Sequence, residues 1–303
     1  MKKTSIIFLV IAVLLLVSGI VLRNKGIEKA EKNDQPLFKQ TLTDEGDLIE
    51  RFEYSPLTIN KINVNLDKNT NVNIIGNAEK CYVEIVNYNA LQYTVYPNNH
   101  TLTIEDDTIS ALMGRAEGGD ISFNGVREYI RNDKYNEQKF INIYIATGAE
   151  VKIFDISILD GNVKIDNVPT VCDYTILMKE GNIETKNTPD LSLFKCKLDK
   201  GNVSVDKAKI SNTDIDVKNG NVTFTTPIDL VYDYTVTSET GSIKYNDESY
   251  TGSYTTENDE IDGLFTVKVG VGNVTIKTFE KTDFPTTVQP NETTEAPAET
   301  TGA

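Results

Sequence analysis

The chain has 303 residues, 45 acidic against 30 basic side chains and a formal charge of −15. Nucleic acid and anionic lipid both bind through Lys and Arg that neutralise phosphate, so this charge excludes a nucleic-acid role. With 39% hydrophobic residues, no Trp and 14 Tyr, the composition suits a β-rich domain with a polar surface and a real core.

The N-terminus opens with Ser5 to Leu22, an uncharged apolar run of 18 residues between Lys2, Lys3 and Arg23. As a helix it would be about 27 Å long, enough to reach across most of a hydrocarbon core. Val17-Ser18-Gly19 lies deep inside the run and is a poor cleavage signal, so residues 1–25 are expected to form an uncleaved membrane anchor rather than a signal peptide. Long domains behind such a segment translocate largely regardless of their charge, which predicts a single-pass protein with its bulk outside the membrane. Residues 26–51 read as a linker.

From Glu53 to Glu105, segments such as Ile62-Asn63-Val64-Asn65-Leu66 and Leu102-Thr103-Ile104 alternate apolar and polar residues and are broken by Asn, Asp and Lys, which predicts strands. Asp106 to Gln138 is polar, contains four Gly and is expected to form an irregular excursion. His100, the only histidine, lies in the turn-like run Pro97-Asn98-Asn99-His100, so no His-based triad or multi-His metal site can be assembled within one chain. Cys81, Cys172 and Cys196 lack a CxxC pair and read as structural thiols.

The strongest signal lies between residues 151 and 278. Gly161-Asn162-Val163, Gly181-Asn182-Ile183, Gly201-Asn202-Val203, Gly220-Asn221-Val222, Gly241-Ser242-Ile243 and Gly272-Asn273-Val274 recur at spacings of 20, 20, 19, 21 and 31. A period in this range is the signature of a solenoid. Apolar columns travel with the motif, at two and four residues after each Gly and at three, five and seven before it. The column at minus seven reads Phe154, Tyr174, Phe194, Thr213, Tyr234 and Phe265. Each turn therefore supplies two short strands with one buried face, joined at the Gly-Asn corner. Gly admits positive φ, and Asn tolerates the left-handed region while its amide can bond along the stack to the next Asn. The corners are thus structural hinges in this reading.

The fold predicted is all-β: a single-stranded parallel β-solenoid over residues 52–283, with regular rungs at 151–278, behind an N-terminal transmembrane helix. The tail, 284–303, is rich in Thr, Pro and Glu without apolar periodicity and is expected to be disordered. Two breaks in the repeat are candidate contact surfaces: the 106–138 excursion, and the eleven extra residues before the last corner, where Tyr250, Thr251 and Tyr254 have a composition suited to adaptable contacts.

The anchor, the alternating strands, the strand Phe140-Ile141-Asn142-Ile143-Tyr144-Ile145 and the Gly-Asn-Val rungs together resemble the DUF4097 family of bacterial envelope proteins, also called toast-rack domains and described as adhesins. The resemblance covers about residues 52–278 and implies the solenoid fold, no catalytic residues and no cofactor. The function expected is a non-enzymatic envelope scaffold, adhesin-like or stress-sensing, that contacts an envelope protein or a cell-surface polymer. The alternatives are a polysaccharide-binding or polysaccharide-cleaving β-helix and a self-assembling, bactofilin-like solenoid. No acidic column persists before the corners, where Asp160 and Glu180 give way to Lys200, Asn219, Thr240 and Val271, which speaks against the cleaving enzyme.

Overall fold

The structure, a computed structural model, describes residues 38–42, 48–55, 57–66, 69–87, 93–106, 139–168, 171–188 and 190–280. The expected transmembrane helix, the 107–138 part of the excursion and the C-terminal tail lie outside the described residues. Among those described there is no helix long and apolar enough to cross a membrane.

Each rung is a strand pair bent at one corner. The three central rungs are the long bent strands β9 (Ile153–Asp166), β10 (Cys172–Lys186) and β11 (Asp190–Val205). They stack in parallel and in register, so that Gly161, Gly181 and Gly201 lie on one another, as do Asn162, Asn182 and Asn202. The next rung is β12 (Lys209–Asn219) with β13 (Val222–Pro227), and two more are β14 (Tyr232–Thr240) with β15 (Ile243–Tyr245), and β18 (Gly263–Val271) with β19 (Val274–Phe279). The N-terminal half adds two: β3 (Lys61–Leu66) with β4 (Asn71–Ala78), and β7 (Thr101–Asp106) with β8 (Phe140–Ala146).

Chain order and spatial order differ at both ends. β18 pairs in parallel with β12 on one side and β14 on the other, and β19 lies between β13 and β15. The last rung of the sequence is therefore inserted inside the one before it. At the opposite end β3 and β4 pair directly with β9, while β7 and β8, later in sequence, lie outside them. The eight rungs make seven steps of about 4.8 Å, or about 34 Å of stack.

The sheet is mixed, not purely parallel as the repeat alone suggests. Antiparallel strands close both ends. β6 (Tyr93–Asn98) covers β7, and β5 (Tyr82–Val86), β2 (Leu48–Glu53) and β1 (Phe38–Leu42) follow one another outward from β8. At the other end β17 (Ser253–Thr255) covers β14 and β16 (Glu248–Tyr250) covers β15. An outermost parallel strand exposes unpaired N–H and C=O groups, which β6 and β16 satisfy as direct hairpins with β7 and β15, and β5 and β17 as antiparallel strands more distant in the chain. These outer strands are poor templates for further pairing, since β16 and β17 have three residues each and β6 carries Pro97.

The five apolar columns form the core. Only Tyr245, on the outermost rung, escapes full burial among them. In the column at minus seven, Phe154 stacks on Tyr174 with ring centroids 4.9 Å apart. Thr213 is the small member of that column, and Phe265 on the inserted rung meets Phe224 edge-on at 4.4 Å.

The corner glycines have φ between 136° and 152°. A Cβ on Gly181, Gly201 or Gly220 would lie 1.5 Å from the carbonyl oxygen of the preceding corner glycine. Close stacking and backbone conformation thus both require Gly. The adjacent Asn, contrary to the expectation of a left-handed residue, has ordinary negative φ. The asparagines with positive φ are Asn77, Asn87, Asn99, Asn167, Asn187 and Asn246, and of these Asn167 and Asn187 stand at the second corner, where a rung leaves for the next.

Replacing Gly201 by Ala should lower stability by at least about 3 kcal/mol, because backbone strain of about 1–3 kcal/mol adds to the clash. Gly252 also has positive φ, but nothing stands within 4 Å of its Cβ position, so its Ala variant should lose only about 1–2 kcal/mol. Urea unfolding of the two variants side by side measures the difference.

Candidate functional site

The asparagines of the first corner form one continuous ladder. Asn162 donates from its backbone N and from Nδ2 to Oδ1 of Asn71, at 3.2 and 2.9 Å. Asn182 does the same to Asn162, Asn202 to Asn182, Asn221 to Asn202 and Asn273 to Asn221. Ser242 ends the ladder, donating from N and Oγ to Oδ1 of Asn273, both at 2.9 Å. At the other end the Asn71 Nδ2 donates to the Lys139 carbonyl at 3.3 Å. Thr70-Asn71 therefore does at the N-terminal rung what Gly-Asn does elsewhere, and the periodicity missed it because the glycine is absent. Each Oδ1 within the ladder accepts twice and each interior Nδ2 donates once to the next rung, so this row is occupied with itself.

The tyrosines of the 246–262 segment turn toward the end of the core. Tyr254 lies 5.2 Å from Tyr245 and 5.8 Å from Tyr234, and Tyr250 lies 4.7 Å from Tyr254. Both are half-buried against the core, with the Tyr250 hydroxyl donating to Glu248. Thr251, between them, is exposed at the tip. Residues 107–138 lie outside the described residues, and the strands that flank them, β7 ending at Asp106 and β8 starting at Phe140, belong to the outermost rung of the opposite end. The described residues that flank the excursion are thus separated from the tyrosine hairpin by the length of the stack.

The outward faces carry cross-rung ion pairs instead of a repeated chemical group. Lys61 pairs with Asp155 at 2.5 Å, Lys195 with Asp214 at 2.8 Å and Lys218 with Asp199 at 2.6 Å. Such exposed pairs add little stability, but in-register stacking would otherwise place like charges about 4.8 Å apart. A shallow depression of about 330 Å³ interrupts this face near the C-terminal end, bounded by Asp216, Lys218, Glu239, Lys268 and Val271, with Gly270 as its floor. Sequence reading missed it, although a glycine at an outward position of a strand was the available signal.

His100 is a turn residue with φ of 64°, its Nδ1 2.7 Å from the Thr58 carbonyl. No group of His, Cys, Asp and Glu among the described residues could hold a metal. The three cysteines are free and buried. Burial pushes the thiols of Cys172 and Cys196 up to about 12, and burial likewise raises the Tyr174 phenol, which lies beside Cys172.

The bent parallel rungs, the glycine column and the asparagine ladder define a β-solenoid of the toast-rack class. The Toastrack DUF4097 family model matches residues 59–289, and the chain belongs to that family. Among solved structures, the chain is similar to a proposed cell adhesion protein from Clostridium sporogenes, with 16% identity, 80% of this chain and 100% of that one covered, and a TM-score of 0.40. A proposed adhesin from Bacteroides fragilis shares 11% identity over 78% of this chain and 98% of its own, with a TM-score of 0.28. A proposed lipid-binding protein from Parabacteroides distasonis shares 11% identity over 77% and 97%, also with a TM-score of 0.28. No curated protein matches the sequence.

The raised thiols set the alkaline behaviour. Above the ordinary thiol value of 9.0 the unfolded chain releases protons that the folded chain keeps, so stability falls as pH rises from about 9 toward 12. By pH 10.5 each of the two thiols should remove roughly 2 kcal/mol relative to pH 8. Urea midpoints across this range measure the fall, which should be smaller when both cysteines are replaced by alanine.

Proposed function

We infer that the protein is a non-enzymatic interaction scaffold of the cell envelope, held at the membrane through residues 1–25, with residues 52–283 outside it. Its faces and end loops contact an envelope protein or a surface polymer. The observation that carries this reading is that the rung corners bond to one another through the whole ladder, from Lys139 to Ser242. That arrangement spends the recurring polar groups on rigidity and leaves the non-repeating outward rows and the two ends for recognition. Function placed on irregular features of a rigid frame is the common arrangement for binding modules. The antiparallel end strands also work against a self-assembling filament, which needs an open strand edge at each end.

The test is capture by the full chain, held in detergent, of solubilised envelope proteins and of purified wall polymers. A saturable partner in either pool is the expected result. A parallel incubation with the same polymers should release no reducing ends or unsaturated products. Turnover by the pure protein would replace the scaffold reading with the enzymatic one.

A further inference from the structure

The residue before each corner glycine is free to vary, as Asp160, Glu180, Lys200, Asn219, Thr240 and Val271 show. At the fourth rung of the Gly-motif series it is an asparagine, and Asn219-Gly220 is the one Asn-Gly pair among the described residues. The pair is chemically labile. The Gly220 nitrogen can attack the Asn219 side-chain carbonyl carbon, unhindered by a Cβ, and close a succinimide ring while the side-chain nitrogen leaves as ammonia. Water then opens that ring at either carbonyl. One opening gives aspartate, the other isoaspartate, in which the main chain runs through Cβ and gains a carbon.

Asn219 ends β12, and its side chain is exposed and makes no hydrogen bond among the described residues, so water reaches the amide. What the fold withholds is the nucleophile. The Gly220 N–H donates to the Val271 carbonyl at 2.8 Å, and Asn219 stands in register between Lys200 on β11 and Val271 on β18. Closing the ring requires that hydrogen bond to break and Asn219 to turn out of its extended conformation, so that Cγ comes over the freed nitrogen. Val271, on the inserted rung, supplies the first restraint and shares the second. The same rung holds the two residues that follow, since Asn273 donates from its backbone N to Oδ1 of Asn221 at 3.0 Å and Val222 N donates to the Asn273 carbonyl at 2.9 Å. β18 and β19 are themselves held by pairing with the rungs on either side, so they and the outer rung can open while β9, β10 and β11 remain stacked.

We propose that Asn219-Gly220 is a latent modification site guarded by the inserted rung: deamidation waits on the departure of β18 and β19, and the isoaspartate it forms bars their return. An added main-chain carbon cannot be absorbed at this corner, where a Cβ on Gly220 would already lie 1.5 Å from the Gly201 carbonyl oxygen. The aspartate product keeps the ordinary backbone and places its carboxylate beside Lys200, so it is tolerated. Opening of the C-terminal end is thereby converted from a reversible fluctuation into a permanent change of the chain. The site needs no partner and stands independently of the scaffold reading.

The test incubates the full chain in detergent at mildly alkaline pH. Peptide mass spectrometry reads the mass gain at Asn219, and isoaspartyl methyltransferase labelling distinguishes the isoaspartate product. Deamidation should be about a hundredfold slower in the folded chain than in guanidinium. Val267→Ala with Val274→Ala, in the buried columns of the inserted rung, should speed it about tenfold, whereas Val64→Ala with Val72→Ala, equally buried on β3 and β4, should change it less than about twofold. Native-state hydrogen exchange of the unaltered chain is an independent readout. Gly220 and residues 263–279 should exchange through an opening that leaves β10 protected, and once isoaspartate has formed, residues 263–279 should stay unprotected. Equal acceleration by the two pairs of substitutions, exchange of 263–279 as slow as that of β10, or renewed protection of 263–279 in the isoaspartate chain would overturn the proposal. So would equal deamidation rates in the folded chain and in guanidinium.

Discussion

The stack depends on one close approach, that of each corner glycine to the carbonyl of the corner glycine before it. With a Cβ position only 1.5 Å from that oxygen at three successive corners, no other residue lets the rungs close to β-sheet spacing while the chain turns. Once the corners touch, the asparagines beside them are held at one height per rung, and their amides meet in a ladder. In-register pairing of both arms follows, and with it the burial of five columns of side chains. The hydrophobic columns supply most of the driving force. The glycines decide that the columns fall on top of one another.

Which rung stacks on which is a separate question, answered by polarity. Any rung presents the same columns and could pair with any other. The fifth rung of the Gly-motif series carries Ser238, Tyr245 and Ser242 where its fellows carry aliphatic residues, Ile, Thr, Val or Phe, and Asn. Placed at the end, it keeps Tyr245 partly in water and lets the Ser238 hydroxyl donate to the Gly272 carbonyl at 2.8 Å. The sixth rung has Phe265, Val267, Val269, Val274 and Ile276 in its columns, all fully buried in the interior position. Exchanging the two would place the more polar set inside and leave the apolar one to be closed by short capping strands, which is the costlier arrangement.

The corner motif and its columns were legible because a residue every second position, repeated at a fixed period, leaves no other way to bury one face. The exchanged order at the ends was not, since it rests on single residues such as Ser238 that look like ordinary variation. The N-terminal rungs were legible as strands but not as rungs, because Thr70-Asn71 hides the first corner of one and the long excursion between β7 and β8 stands at the first corner of the other. Strand direction in the caps was invisible as well, for Tyr82-Val83-Glu84-Ile85 alternates alike in either direction. Of the candidate contact residues, composition marked Tyr250 and Tyr254. Their packing against Tyr245 and Tyr234 depends on the hairpin that brings them back over the core. The depression at Gly270 lies in a row whose outward direction is plain from the alternation, but Asp216 and Glu239 flank it only because the sixth rung is inserted between the fourth and the fifth.

The inserted last rung has a temporal consequence. A chain emerging from its N-terminus completes residues 232–255 before residues 263–279 exist, so the outer layer is made while the layer that must support it is still missing. It can reach its final neighbours only when the end of the domain arrives and slides between two parts already synthesised. The domain is therefore finished from the inside by its own C-terminus, and a chain cut short near residue 256 would lack an interior floor, not a roof.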